Sequence, residues 1–327
     1  MARDAMTNIV KIPLPDTRIQ CCGLPSAHNE TCYWRLPPSA QAEVPLAVAE
    51  QSRYSAGVSL KFRTNSGRLQ VCGTGVSEPK LQGIDCLIDG RYWRTLQVPR
   101  GECLELMVFQ GLAIHWREVE LYFPAEQEIR IDGLSVDEDA ELTLPRTFSD
   151  TLPLAFYGSS VVQGSGAGLS AMSYPSILSR QLNIEIRNWG FYGAGKAEPE
   201  VVAQVIGQQA KAFVLDLGKS YGRRPEAVYR AMLEQIAAEH PLTPIVVLTP
   251  IFSARENYDQ RFLERSKIIR SVMTEAAKGI GNVSVVDGLT LLGRDDWAGL
   301  SADGLHPNEK GFELIARRLL PTLELLL

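Results

Sequence analysis

The chain has 327 residues, 45% apolar and 22% charged, the composition of a globular protein with room for a large core and about two domains. Its 33 basic residues are outnumbered by 38 acidic ones, giving a net charge of −5, so there is no cationic surplus to neutralise phosphates and a nucleic-acid partner is disfavoured. No run reaches the roughly 18 apolar residues of a membrane span, and "MARDAMTNIVKIPLPD" has no apolar stretch of the secretory type, so a cytoplasmic location and no membrane partner are expected.

All six cysteines (Cys21, Cys22, Cys32, Cys72, Cys86 and Cys103) fall in the first third. The Cys21-Cys22 pair followed by Cys32 lacks the spacing of a zinc knuckle, which leaves buried free thiols as the expectation. Up to about Pro145 short segments alternate between apolar and polar: "VSLKFRT", "GRLQVCGTG", "IDCLIDG", "RYWRTLQV", "ECLELMVF" and "WREVELYF". Gly, Pro, Asp or Ser separates them, and "DGR" at 89–91 suits a hairpin turn. Strands at this spacing predict an all-β sandwich or jelly-roll domain over 1–148.

After "LPRTFSDTLP" the period changes. Apolar runs "LAFYG", "IEIRNWG", "AFVLDLG", "PIVVLTP" and "NVSVVDG" alternate with helical patterns near 173–183, 199–210, 225–239, 257–279 and 308–326. "EPEVV" and "RPEAV" read as first helical turns, with Pro and an acid at the start. Five strand–helix repeats predict a three-layer α/β domain with a mainly parallel sheet over 149–327, whose site lies at the carboxyl ends of the strands.

Histidine narrows the search, because the chain has four: His28, His115, His240 and His306. The first two lie in the β-rich half, and His240 in "AAEHPLTP" sits where a helix ends, which suits a capping role. His306 in "SADGLHPNEKGF" is therefore the histidine available to a Ser/His site, with Asp303 three residues earlier able to fix its tautomer. The same stretch also serves as a turn before a helix capped by Asn308. Asp287 in "VVDG" is a second carboxylate at a strand end, read as structural.

Three glycine-rich turns compete for the rest of the site. "YGSSVVQGSGAG" exposes a serine at a strand end, though Val162 stands where a nucleophile elbow has its last Gly. "GFYGAGKA" has the Gly190, Gly195 and Lys196 spacing of a P-loop, but Ala197 replaces the hydroxyl that holds magnesium. "GKSYG" at 218–222 matches G-x-S-x-G around Ser220, but Arg223, Arg224 and Pro225 intervene before the helical pattern resumes, where an elbow starts its helix at the serine.

In order along the chain, these pieces resemble the four blocks of the SGNH (GDSL-type) hydrolase superfamily. "YGSSVVQG" is similar to the first, "NWGFYGAG" to the second, "LDLGKSYG" to the third and "DGLHPNEKGF" to the last. The resemblance covers about 150–327, and the β-rich first half is similar to that of two-domain carbohydrate-esterase and acyltransferase branches. It implies a flavodoxin-like α/β/α fold, Ser160 as nucleophile, His306 as base and Asp303 as its partner, with Gly193 and Ser160 N–H groups facing an oxyanion. Ser159 stands where many members carry Asp, outside the chemical groups. Ser220 stands where the oxyanion-hole Asn is usual; either its hydroxyl substitutes, or the backbone N–H groups suffice. Acyl transfer through an acyl-serine follows, without metal or organic cofactor. The leading reading is a serine esterase or deacetylase acting on a small-molecule ester, with acylated sugars among the candidates. An acyltransferase with the same triad, and a glycan- or metabolite-binding protein with a degenerate site, stand as alternatives. Trp189, Tyr192 and Trp297 lie beside the blocks and are read as core packing ahead of substrate stacking.

Overall fold

A computed structural model describes residues 8–24 and 32–327; His28 lies outside the described residues. Among the described residues the first half holds ten strands: β1 (Ile9–Pro13), β2 (Gln20–Cys22), β3 (Ser59–Thr64), β4 (Leu69–Gly75), β5 (Ile84–Ile88), β6 (Arg91–Leu96), β7 (Gly101–Phe109), β8 (Arg117–Tyr122), β9 (Ile129–Asp137) and β10 (Leu142–Thr143). They form two antiparallel sheets, one ordered β1-β9-β4-β7, the other β10-β3-β8-β5-β6 with β2 paired to β3. Alternation along each strand sends one set of side chains inward: Val71, Leu134 and Val136 from the first sheet meet Phe62, Val119 and Leu121 from the second in one core.

Six of these strands are the six predicted segments. The other four carry weaker signals: β9 has Gly133 at its centre, β1 ends in Pro13, and β2 and β10 have only three and two residues. The predicted turn joins β5 to β6, with Asp89 and Gly90 at φ of 50° and 73°, the doubly positive pattern of a type I′ hairpin. Cys22, Cys72 and Cys86 are buried as expected, whereas Cys21 and Cys103 are exposed. For Cys21 the reason is strand alternation, since its neighbour Cys22 takes the inward position.

Two short helices, α1 (Pro38–Gln41) and α2 (Leu46–Ser52), interrupt the β-rich half. Their apolar residues Ala40, Val48 and Ala49 join the core of the second half, so these helices pack with elements far along the chain.

The second half is a parallel sheet of β11 (Leu154–Gly158), β12 (Ile186–Gly190), β13 (Ala212–Asp216), β14 (Ile245–Leu248) and β15 (Val283–Val286), ordered β12-β11-β13-β14-β15. Its helices are α3 (Ser160–Gln163), α4 (Tyr174–Leu182), α5 (Pro199–Ile206), α6 (Glu226–Glu239), α7 (Gln260–Ala277), α8 (Gly288–Leu291) and α9 (Glu309–Leu326). Ala155, Tyr157, Phe213 and Leu215 face α5, α6 and α7, while Leu154, Phe156, Val214 and Val246 face α4 and α9. This is the three-layer α/β/α arrangement. In it the strand order reverses beside β11, so the turns after β11 and β13 open a crevice at the carboxyl edge. Among the described residues no helix is long and apolar enough to cross a membrane, and no group of three or more His, Cys, Asp or Glu is disposed to hold a metal ion.

Candidate active site

Ser160 is the first residue of α3, directly after β11. Ser159 caps that helix, its Oγ accepting the Val161 N–H, which is what a short polar side chain does best at this position. The Ser160 N–H points out of the helix start, where no intrahelical carbonyl can meet it. Across the crevice, the segment before α9 folds back on itself, with the Ser301 N–H bonded to the His306 carbonyl at 2.8 Å. Asn308 caps α9 through the Gly311 N–H at 3.0 Å, as the turn reading of "DGLHPNEKGF" expects.

His306 Nε2 lies 2.9 Å from Ser160 Oγ, and its Nδ1 lies 2.6 Å from Asp303 Oδ2. The other carboxylate oxygen accepts from Ser301 Oγ and Leu305 N at 2.8 Å and from His306 N at 3.0 Å. Partial burial pushes the Asp303 carboxyl up, but these donors, led by the His306 ring, outweigh it and hold the group well below the usual carboxylate range. The imidazole is thereby presented with Nδ1 protonated and Nε2 free to accept from the serine. Asp287 is occupied elsewhere, capping α8 through Leu289 N and accepting from Thr249 Oγ1. His240 is the C-cap residue of α6, its Nε2 lying 2.7 Å from the Ile206 carbonyl.

Gly166 brings the two sides together. Its φ is +101°, and a Cβ there would sit 2.6 Å from His306 Cβ and 2.5 Å from the Pro307 carbonyl. Gly193, in the turn after β12, faces open space on its Cβ side, and its N–H has no backbone partner among the described residues. Beside it Tyr192, at φ 51° and 44% exposed, stacks on the His306 ring at 5.9 Å. Trp297 is 70% exposed, so of the three aromatic residues read as core packing only Trp189 is buried. Lys196 and Ala197 belong to the lead-in of α5, with Ala197 N–H held by the Tyr157 hydroxyl at 3.0 Å.

A cavity of about 50 Å³ adjoins Ser160 and His306, walled by Ser220, Ile251 and Leu305 and reaching Asp216 and Lys219. Ser220 thus shares the cavity with Ser160, but it sits in a single 3₁₀ turn well before α6, not at the head of a helix. Asp216 and Lys219 escaped the sequence reading, although an Asp inside the apolar run "AFVLDL" is itself a signal. Burial pushes the Asp216 carboxyl up to about 7, against the Tyr174 hydroxyl 3.2 Å away and the Lys219 charge. Burial likewise pulls the Lys219 ammonium down to about 8, while Glu256 at 3.1 Å opposes it. Arg270 clamps Glu256 with two 2.9 Å bonds, fixing the 250–256 loop over the cavity. Arg35 had no local signal at all: fully buried, it ties the Gln51 and Tyr54 carbonyls of the α2 region to the Asn188 and Gly190 carbonyls at the end of β12.

By sequence, residues 151–324 match the GDSL-like lipase/acylhydrolase family, and residues 16–142 match the N-terminus of SGNH-hydrolase-type esterases. Solved structures with a similar fold include a chain from Bacteroides ovatus assigned to GDSL-like lipases (TM-score 0.83, 23% identity, 98% of each chain covered). The salicylyl-acyltransferase of a tetracycline biosynthetic pathway is similar at TM-score 0.81, with 22% identity over 97% of each chain. A family two carbohydrate esterase from Clostridium thermocellum, solved with cellohexaose, gives TM-score 0.65 and 16% identity over 82% of this chain and 92% of that one. No curated protein matches the chain by sequence.

Proposed function

The chain belongs to the GDSL-like lipase/acylhydrolase family, and from that premise we propose that it hydrolyses a small acyl ester, an acetylated sugar, through an acyl-serine on Ser160. The observation that carries this reading is the unbroken chain of hydrogen bonds from Asp303 through His306 to Ser160 Oγ. His306 Nε2 takes the hydroxyl proton as Oγ attacks the ester carbonyl, and Asp303 holds the imidazolium that forms. The oxyanion faces the N–H groups of Ser160 and Gly193, with the Ser220 hydroxyl as the third donor. His306 then returns the proton to the departing alcohol. Water attacks the acyl-serine, giving a proton to His306, which passes it to Ser160 Oγ as the Oγ–acyl bond breaks, so that the carboxylic acid, the serine hydroxyl and the neutral imidazole are released.

The acyl group is assigned as small because the cavity beside Ser160 is about 50 Å³, far below the ~300 Å³ or more of a drug-sized pocket. That volume weighs against an aromatic acyl group such as the salicylyl of the acyltransferase relative. The sugar alcohol is assigned from the likeness to carbohydrate esterases. Residues 1–148 and 149–327 are read as two domains, the first buttressing the second through α1, α2 and Arg35. A hydrolase is favoured over a binding protein because a base already aligned on a serine has no use in binding alone.

The test is turnover of p-nitrophenyl acetate together with fluorophosphonate labelling mapped by peptide mass. Wild-type turnover, a label on Ser160 and loss of both in Ser160→Ala are expected. A label on Ser220, or turnover surviving in Ser160→Ala, refutes the assignment. Product analysis with an added alcohol separates hydrolysis from transfer, since an acyltransferase diverts most of the acyl group to the alcohol.

A further inference from the structure

A groove of about 850 Å³, far larger than the cavity at Ser160, runs between the outer face of the second sheet, the 144–148 connection and α4. It shares no lining residue with that cavity. In a chain of net charge −5, five cationic side chains line it against three acidic ones. Two of the cations are already committed. Lys61 pairs with Glu120 at 2.9 Å, and Arg117 donates to the Ser66 and Ala113 carbonyls. The other three, Arg63, Arg146 and Arg180, have no ion-pair partner among the described residues. Arg180 lines the groove and lies over the Tyr122 ring.

We propose that this groove binds an acidic sugar residue, its carboxylate on the Arg146 and Arg180 guanidinium groups and its ring face on Trp116. A guanidinium fork matches a carboxylate with two parallel bonds, which favours arginine over lysine for this anion. Arg63 covers part of Trp116 at 5.5 Å, yet the indole stays 39% exposed and offers a flat apolar surface. Asp89 and Glu118 on the same walls accept hydroxyl donors, and their negative charge opposes a phosphate dianion or a nucleic acid. The site rests on the groove's own chemistry and not on the reaction at Ser160.

Calorimetric titration of the whole protein with glucuronoxylotriose, xylotriose and inorganic phosphate tests it. The acidic oligomer should bind about tenfold or more tightly than the neutral one, and more weakly as salt rises. Arg146→Ala and Trp116→Ala, both at exposed positions, should each weaken it about tenfold. Both should keep the melting temperature and the wild-type rate on p-nitrophenyl acetate, and Ser160→Ala should bind unchanged. Equal affinity for the two oligomers, or phosphate binding as tightly as the acidic one, overturns the proposal. So does loss of binding in Ser160→Ala, which would move the ligand to the crevice.

Discussion

Asp303→Asn separates the electronic role of this side chain from its structural one. The Oδ1 side accepts three hydrogen bonds that hold the turn, from Ser301 Oγ, Leu305 N and His306 N, and the amide oxygen of Asn can accept the same three. The Oδ2 side, 2.6 Å from His306 Nδ1, becomes an NH₂ group that donates to the ring. The ring proton is then driven to Nε2, which faces Ser160 Oγ at 2.9 Å as a donor and no longer accepts its proton. In serine triads of this kind the wrong tautomer lowers kcat by about 10⁴. Here the Asp303 side chain is 49% exposed, so water competes for Nδ1 and the loss is expected nearer 10³, about 4 kcal/mol of barrier. The assay is kcat on p-nitrophenyl acetate, with thermal melting to show that the turn survives. A folded variant whose kcat stays within about tenfold of wild type refutes the claim that Asp303 orients His306.

Three further outcomes follow from the same geometry. Asp216 keeps its proton in the folded chain up to about pH 7, whereas an ordinary Asp loses it near 3.8. Its stabilisation is therefore full below about pH 4 and is lost as pH rises to 7, a contribution of at most about 4 kcal/mol. Urea midpoints of Asp216→Asn should decline less than wild type across that window, and parallel profiles would mean the carboxyl is ionised when folded. Gly166→Ala puts a Cβ 2.6 Å from His306 Cβ at φ +101°, so kcat should fall by about a hundredfold or more through displacement of the base; an unchanged rate contradicts the close approach. Relative kcat/KM on p-nitrophenyl acetate and octanoate should favour acetate strongly, and Ile251→Ala should narrow that gap by enlarging the cavity. Equal wild-type rates on the two esters argue against the small acyl pocket.

Much of this protein is written locally. The change from alternating to helical periodicity after residue 145 marks the passage from antiparallel sheets to the parallel sheet, and the helix starts at Pro199 and Glu226 follow from Pro and acids in their first turns. The candidate residues Ser160, Asp303 and His306 could be named from a strand-end turn and a pre-helix turn, and Gly193 only from the resemblance of its block to the family. Short or broken strands such as β2 and β9 were not legible, since their pairing depends on partners far along the chain.

What only the tertiary structure decides is which distant groups share one dielectric environment. Asp303 and Asp287 look alike in sequence, each at the edge of a turn. One meets a histidine in the turn before α9, and the other caps α8 directly after β15. Likewise Arg35, 153 residues before Asn188, becomes part of the same buried knot as the β12 turn. Sequence sets local backbone preferences and the chemistry on offer. Long-range packing sets the distances, and burial and hydrogen bonding act over a few ångströms in space however far apart the residues lie along the chain.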